Sequence, residues 1–163
     1  MHLCYERGRR PDLIQIKRSA GKSANLRAMN SPAYFDQLLH AAAAQPEPQR
    51  LLFVFAAAEL PQDATAQQRE RFEAAQGGAL APLACVDKAP EELGCFDALV
   101  AESRHASPAW DVVFVAGLGG RNGQPPSVQQ VDSALQAMVD GVKGGNVRSY
   151  LALNPVGEAL YFS

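Results

Sequence analysis

The stretch that decides the fold is WDVVFVA at residues 110–116, followed by the glycine-rich segment GLGGRNG at residues 117–123. Three valines and a phenylalanine form its centre, which is typical of a strand buried on both faces. Ser127, with Gln130 three residues later, then forms a capping box, and apolar residues at helical spacing follow it. This order of strand, loop and helix predicts an α/β domain with helices covering a sheet.

Other segments extend this pattern in both directions. Two further apolar runs, Leu51–Phe55 and Leu80–Val86, predict strands. Pro82 predicts an edge position or a bulge in the second run, because proline has no amide hydrogen. Helical spacing and end signals predict four helices, which begin at Ser31-Pro32, Thr65, Pro90 and Ser127. Thr65 with Gln68 three residues later forms a second capping box. We expect Phe72 to anchor the second helix and Val128 to be the first buried residue of the fourth.

The C-terminal segment predicts a β-hairpin. Val147–Leu153 and Glu158–Phe162 flank the sequence Asn-Pro-Val-Gly at residues 154–157, which is a type I turn signature. Strands alternating with helices, followed by this hairpin, predict one α/β domain. Its expected architecture is a mixed sheet of about five strands, flanked by three or four helices.

The charge of the chain changes sign at Met29. Residues 1–28 carry seven Lys or Arg and two Asp or Glu, a net charge of +5, whereas residues 29–163 carry eight and 15, a net charge of −7. We therefore expect a basic leader (1–28), disordered or preceding the true start, and a single α/β domain (29–163), the body. A targeting segment and a basic tail that binds an anionic partner are open alternatives. Because the leader has no apolar stripe, we expect a chain beginning at Met29 to keep its stability.

Cysteine spacing and motifs limit the possible chemistry. Cys4, Cys85 and Cys95 occur at no metal or redox spacing, so we expect the last two to be small buried residues in a cytoplasmic protein. The longest apolar run, residues 51–58, is far shorter than the roughly 20 residues of a membrane-spanning helix. The sequence has no G-x-S-x-G, no H-E-x-x-H and no Asp-rich calcium loop, so it predicts no catalytic residue, metal or cofactor. The net charge of −7 disfavours nucleic-acid binding by the body.

A candidate ligand site depends on the direction of the strands. If the central strands are parallel, their carboxyl ends meet at the sheet edge where open α/β sheets bind ligands. The glycine-rich loop departs from the dinucleotide pattern at Asn122, and no Gly-Lys-Ser/Thr occurs. An anion-binding loop and a simple connector are therefore both open. The candidate ligand-binding residues are Glu59, Asp87, Lys88, Gly119, Gly120, Arg121 and Asn122.

Three stretches carry a family resemblance: PEPQRLLFVFAAAELP (46–61), RERFEAAQGGALAPLACVDKAPEEL (69–93) and WDVVFVAGLGGRNGQPP (110–126). They resemble a family of short proteobacterial proteins labelled "ribonucleotide reductase subunit alpha". Residues 1–28 have no counterpart in that family. A catalytic reductase subunit needs a large barrel and a radical cysteine between two redox cysteines. The 135 residues from Met29 contain two cysteines. The resemblance therefore implies no catalytic residue here, and the label does not describe this chemistry.

These observations favour a small cytoplasmic α/β protein without catalysis of its own, acting as an accessory or interaction module for an unknown protein partner. The alternative is a small-ligand or nucleotide-binding protein that uses the strand-end loops. In the last predicted strand, Leu160 and Phe162 share one face and Tyr161 lies on the other, so neither face is plainly polar. Such a strand needs cover, so two outcomes are open: placement in the interior of the sheet, or a weak homodimer through the hairpin.

Overall fold

The computed structural model describes residues 33–60, 63–73, 78–107 and 109–162, together with three short segments of the leader at 2–3, 13–14 and 16–18. The chain forms a single-domain α/β fold, which confirms the predicted class. Its helices are α1 (Ala33–Ala43), α2 (Ala66–Glu73), α3 (Phe96–Ala106) and α4 (Val128–Gly144). Its strands are β1 (His2–Leu3), β2 (Leu13–Ile14), β3 (Ile16–Arg18), β4 (Gln49–Glu59), β5 (Gly78–Lys88), β6 (Val112–Gly119), β7 (Leu151–Leu153) and β8 (Leu160–Phe162).

The main sheet has the strand order β1–β5–β4–β6–β7, and β2 also pairs with β5. Every pairing among the described strands is antiparallel, so the predicted mixed sheet is corrected to an antiparallel one. The apolar runs do not encode direction. A strand covered on both faces is continuously apolar whichever way its neighbours run, and β4 is buried at six consecutive positions, 51–56.

Helices cover both faces of this sheet. Leu52, Val54 and Phe114 belong to a core cluster with the buried stripe of α4. Phe53 and Phe55 alternate with them and belong to a second cluster with residues of α1 and α3. Side chains alternate along a strand, so one continuous apolar run supplies both clusters. Each fully buried side chain of this size contributes about 1.5–3 kcal/mol relative to exposure.

A β-bulge lies at Pro82, which confirms one of the two predicted outcomes for this proline. Phe55 pairs with Ala84 and Ala56 pairs with Pro82, so Leu83 is the extra residue of β5. On the other side of β5, β2 pairs at residues 78–79 and β1 at residues 84–85. Pro82 therefore lies between the positions that pair with these two short strands, and none of the described leader residues pairs with it on this side.

The longest helix, α4, begins as the sequence predicts. Ser127 and Gln130 form the capping box, and Gly145 ends the helix with a φ of 81°. One detail is corrected, because Val128 is 78% exposed. Being the first residue of the helix, it precedes the turn whose stripe packs on the sheet, which begins at Val131.

For the other helices, the structure corrects one expectation and leaves two untested. A 3₁₀ turn at Pro90–Glu92 replaces the predicted first turn of α3. Leu93 then adopts an extended conformation and α3 begins only at Phe96. Residues 31–32 and the side chain of Phe72 lie outside the described part of the chain, so the predicted start of α1 and anchor of α2 stay predictions.

The C-terminal hairpin is shorter than predicted. Its turn is present: the amide of Gly157 donates to the carbonyl of Asn154 at 2.9 Å, and Gly157 has a φ of 85°. However, the two arms pair only at Leu153 and Ala159. A turn occupies residues 147–150, and β8 pairs with β3 of the leader. The leader sequence gives no sign of this pairing, and its division from the body stays a prediction.

Within the described residues, none of the helices has the length and apolar content required to cross a bilayer.

Candidate functional site

The antiparallel sheet separates the residues that were expected to meet. The start of β4 lies beside the ends of β5 and β6, because Gln49 pairs with Gly119 and Leu51 pairs with Lys88. We call this side of the sheet the Gln49 edge. Glu59 ends β4 at the opposite side, where it pairs with Ala79. The expectation that Glu59 lies with Asp87 and Arg121 is therefore wrong, because β4 runs against both of its neighbours.

At the Gln49 edge, Asp87 forms an ion pair that the sequence did not indicate. Arg50 Nε donates to Asp87 Oδ2 at 3.0 Å, and a second guanidinium nitrogen contacts the same oxygen. Arg50 Nη1 also lies 3.5 Å from Glu92 Oε1. The hydrogen bond that Arg50 donates to Asp87, opposed by partial burial and assisted by the charges of Asp87 and Glu92, raises the pKa of the Arg50 guanidinium above its ordinary value. This arrangement fixes the 3₁₀ turn against the sheet and leaves Asp87 already paired.

The side chain of Lys88 lies on the other face of the sheet. Its Nζ lies 2.8 Å from Glu102 Oε2 on α3. Successive side chains of a strand point to opposite faces, so Asp87 and Lys88 cannot converge on one ligand. The predicted strand ended at Val86, whereas β5 extends to Lys88, so the sequence did not predict that the two side chains alternate along one strand.

The glycine-rich loop is a tight β-turn. The amides of Arg121 and Gln124 each donate to the other residue's carbonyl, at 3.0 and 2.9 Å. Asn122 and Gly123 have φ values of 53° and 75°, which define a type I′ turn. The Asn-Gly dipeptide is the strongest short hairpin signal in a sequence, and it could have indicated this turn.

The amides of this loop already have partners. Gly120 donates to the carbonyl of Pro48 at 2.8 Å, and Gly123 donates to Glu47 Oε2 at 2.7 Å. With the paired amides of Arg121 and Gln124, four donors of the loop are engaged. A phosphate held here would have to replace these bonds beside the Glu47 carboxylate, which would repel it.

A groove lies beside α1 at this edge, and we call it the α1 groove. One wall is a helical face with the spacing i, i+3, i+4 and i+7, formed by Asp36, Leu39, His40 and Ala43. The groove has a volume of about 760 Å³. The opposite wall consists of residues that follow α1, β5 and β6: Gln45, Pro46, Glu47, Pro48, Gln49, Pro90, Glu91 and Gly123.

The charge of this lining is negative. Asp36, Glu47 and Glu91 supply three carboxylates, and among the described lining residues there is no lysine or arginine. Three prolines of the wall opposite α1 restrict the backbone there. Candidate residues Arg121 and Asn122 neighbour the groove through Gly123 but do not line it. The sequence did not single out this groove, since its walls are contributed by three segments that are far apart in the chain, at residues 36–49, 90–91 and 123.

The part of the chain that the structure describes has few side chains placed for nucleophilic catalysis or metal binding. There, no group of three or more His, Cys, Asp or Glu side chains is placed to hold a metal ion. Ser103 is fully buried and bonded to Trp110, whereas His105, two residues away, is exposed. Cys85 is buried as predicted, but Cys95 is exposed at the N-cap of α3, which corrects the expectation for that cysteine.

Comparison with known proteins adds no family to this description: no family model, no curated protein and no solved structure matches the chain. The resemblance drawn from the sequence stays a prediction. Fold and site together define a small antiparallel α/β domain with an acidic surface groove at one end of its sheet.

Proposed function

We propose that this is a cytoplasmic, non-catalytic interaction module, and that its α1 groove binds a positively charged, extended segment of a partner protein. The observation that carries this proposal is the lining of the groove. The described lining has three carboxylates beside proline and alanine residues, but no lysine or arginine. A Lys or Arg side chain can lay its apolar stem along such a lining while its charged end reaches a carboxylate.

The sign of the charge argues against the nucleotide alternative. Phosphates need Lys, Arg or free amides, but the loop amides nearest the groove are engaged and the nearest side chains are acidic. The net charge of −7 over residues 29–163 also disfavours the binding of a nucleotide. At physiological salt this field is screened within about 8 Å, so it favours encounter with a cationic partner more than it adds affinity.

Binding of defined peptides tests the proposal. We expect a labelled ten-residue peptide of alternating lysine and proline to bind with a Kd in the micromolar range, and the same peptide with glutamate in place of lysine not to bind. The Kd should rise several-fold when the salt concentration rises from about 50 to 200 mM. Fluorescence anisotropy with the whole chain measures both effects.

Charge-neutral variants locate the binding site. Glu47→Gln keeps an oxygen that can accept from Gly123, so the turn is retained while the charge is lost. Together with Glu91→Gln it should weaken the lysine peptide about tenfold. Glu70→Gln is the matched control, because Glu70 is exposed on α2, which follows β4 at the opposite edge. Equal weakening by the control, or binding of both peptides alike, would contradict a groove-specific role.

A small cationic ligand is a second candidate. The volume of about 760 Å³ lies within the range of roughly 300–1,000 Å³ that is typical of small-molecule sites. A polyamine such as spermidine should then raise the melting temperature by a few degrees, whereas ATP should not. A rise with spermidine that the Glu47→Gln/Glu91→Gln variant abolishes, without binding of the lysine peptide, would favour this candidate.

A further inference from the structure

The last strand of the chain has an unusual partner. Strand β8 pairs antiparallel with β3 of the leader, in the register Ile16 with Phe162, Lys17 with Tyr161 and Arg18 with Leu160. Its link to the main sheet is a single bridge, between Leu153 and Ala159. The backbone groups of β8 are therefore satisfied mainly by a segment more than 140 residues away in the sequence.

The side chains of β8 are attached to the body independently of this pairing. Leu160 and Phe162 pack against the cluster that lies under α4. The ring of Phe162 lies 5.4 Å from that of Phe114, centroid to centroid, in a tilted arrangement. Tyr161 points the other way and is 54% exposed. Loss of the leader strand would thus leave β8 in place with an open, apolar edge, which is a template for another strand.

We infer that β3 is a strap that covers the β8 edge and keeps the chain monomeric, and that release of β3 lets β8 pair with β8 of a second copy. The register supports a second copy of β8 as the partner after release. Antiparallel pairing of two β8 strands about Tyr161 places Leu160 opposite Phe162, so both strands keep their apolar face towards the core. The leader instead places Arg18 opposite Leu160. Leu160–Phe162 also contains no charged residue that would oppose self-pairing.

Opposite charges on the two parts favour the closed state. The leader carries +5 and residues 29–163 carry −7, so the strap is attracted to the body at low salt and released more readily at high salt. An anionic partner that binds the leader would likewise favour release of the strap. The β8 edge is separate from the α1 groove, because none of the described lining residues of the groove belongs to β8.

Proline substitution in the full-length chain tests the strap. The variant Ile16→Pro/Lys17→Pro removes amides from two successive positions of β3, whichever of them bonds to β8. In place of the weak homodimer of the wild type that the sequence suggested, we expect the weight-average mass of the wild type to stay constant over a tenfold range of concentration, and that of the variant to rise towards twice the monomer value. Ser23→Pro/Ala24→Pro, outside the described strands, is the control and should behave as the wild type does.

Hydrogen exchange distinguishes strap release from unfolding. Amides of Leu160–Phe162 should exchange slowly in the wild type at any concentration. In the variant they should exchange at least tenfold faster when dilute and become protected again when concentrated, while the amides of β4 stay protected throughout. Adding Tyr161→Pro to the variant should restore the monomer. Fast exchange of β8 in the wild type, or a proline variant that stays monomeric, would overturn the inference.

Discussion

Trp110 Nε1 donates a hydrogen bond of 2.7 Å to Ser103 Oγ, and both residues are buried. Ser103 in turn donates to the carbonyl of Val100 at 2.6 Å. The indole ring lies 5.0 Å from that of Phe55, centroid to centroid. This short chain of bonds joins α3 to the start of β6 inside an otherwise apolar cluster, and it gives the indole nitrogen the partner that a buried tryptophan needs.

Removing this partner should destabilise the fold. Ser103→Ala leaves the Trp110 indole donor buried without an acceptor, so we expect the free energy of unfolding to fall by about 1–3 kcal/mol in urea titrations. Ser133→Ala, on the exposed side of α4, is the control and should change it by less than about 0.5 kcal/mol. The same Ser103→Ala substitution in a Trp110→Phe background should cost clearly less, and an equal cost there would contradict the role of the hydrogen bond.

Gly120 should be the least replaceable residue of the glycine-rich loop. A Cβ atom at this position would meet the backbone oxygen of Gln124 at 1.8 Å, which only a backbone shift can relieve. We expect Gly120→Ala to lower the free energy of unfolding by more than about 2 kcal/mol. At Gly117 the nearest atom would lie 3.7 Å away, so Gly117→Ala should be close to neutral. If the two variants have equal stability, the close approach of residues 120 and 124 is wrong.

The ion pair of Arg50 with Asp87 should contribute modestly to the free energy of unfolding, and this contribution should not depend on pH near neutrality. Its side chains are 25% and 29% exposed, so we expect Arg50→Gln to cost about 1 kcal/mol, and Arg148→Gln, at an exposed position, nearly nothing. The pKa of Arg50 is raised, so the contribution of this group is fully present below its ordinary value and is lost only as the pH rises through the higher one. The difference between wild type and Arg50→Gln should therefore be constant from about pH 6 to 9. A steep change of that difference within this window would contradict the assignment.

The two cysteines of the body should differ in reactivity. Cys95 is exposed and Cys85 is buried in β5, so a maleimide should modify Cys95 at least about tenfold faster under native conditions. Peptide mapping by mass spectrometry separates the two sites, and the rates should converge in 6 M guanidinium chloride. Similar rates in the native chain would contradict the burial of Cys85.

The sequence by itself determined the local elements. The capping boxes at Ser127 and Thr65 are present with both of their reciprocal hydrogen bonds. The turn at residues 154–157 and the bulge at Pro82 were also predictable. In each case the residues that make the bonds are close in the chain, so composition and spacing are sufficient to specify them.

Only the tertiary structure decided the direction of the strands and therefore the site. Apolar runs report burial, which is the same for parallel and antiparallel strands under two layers of helices. The Arg50–Asp87 pair and the β3–β8 pairing depend on contacts across 37 and more than 140 residues, and no local pattern specifies such contacts. The α1 groove likewise depends on the antiparallel pairing that brings the start of β4 to the ends of β5 and β6. Its carboxylates come from α1 itself and from the segments after α1 and β5.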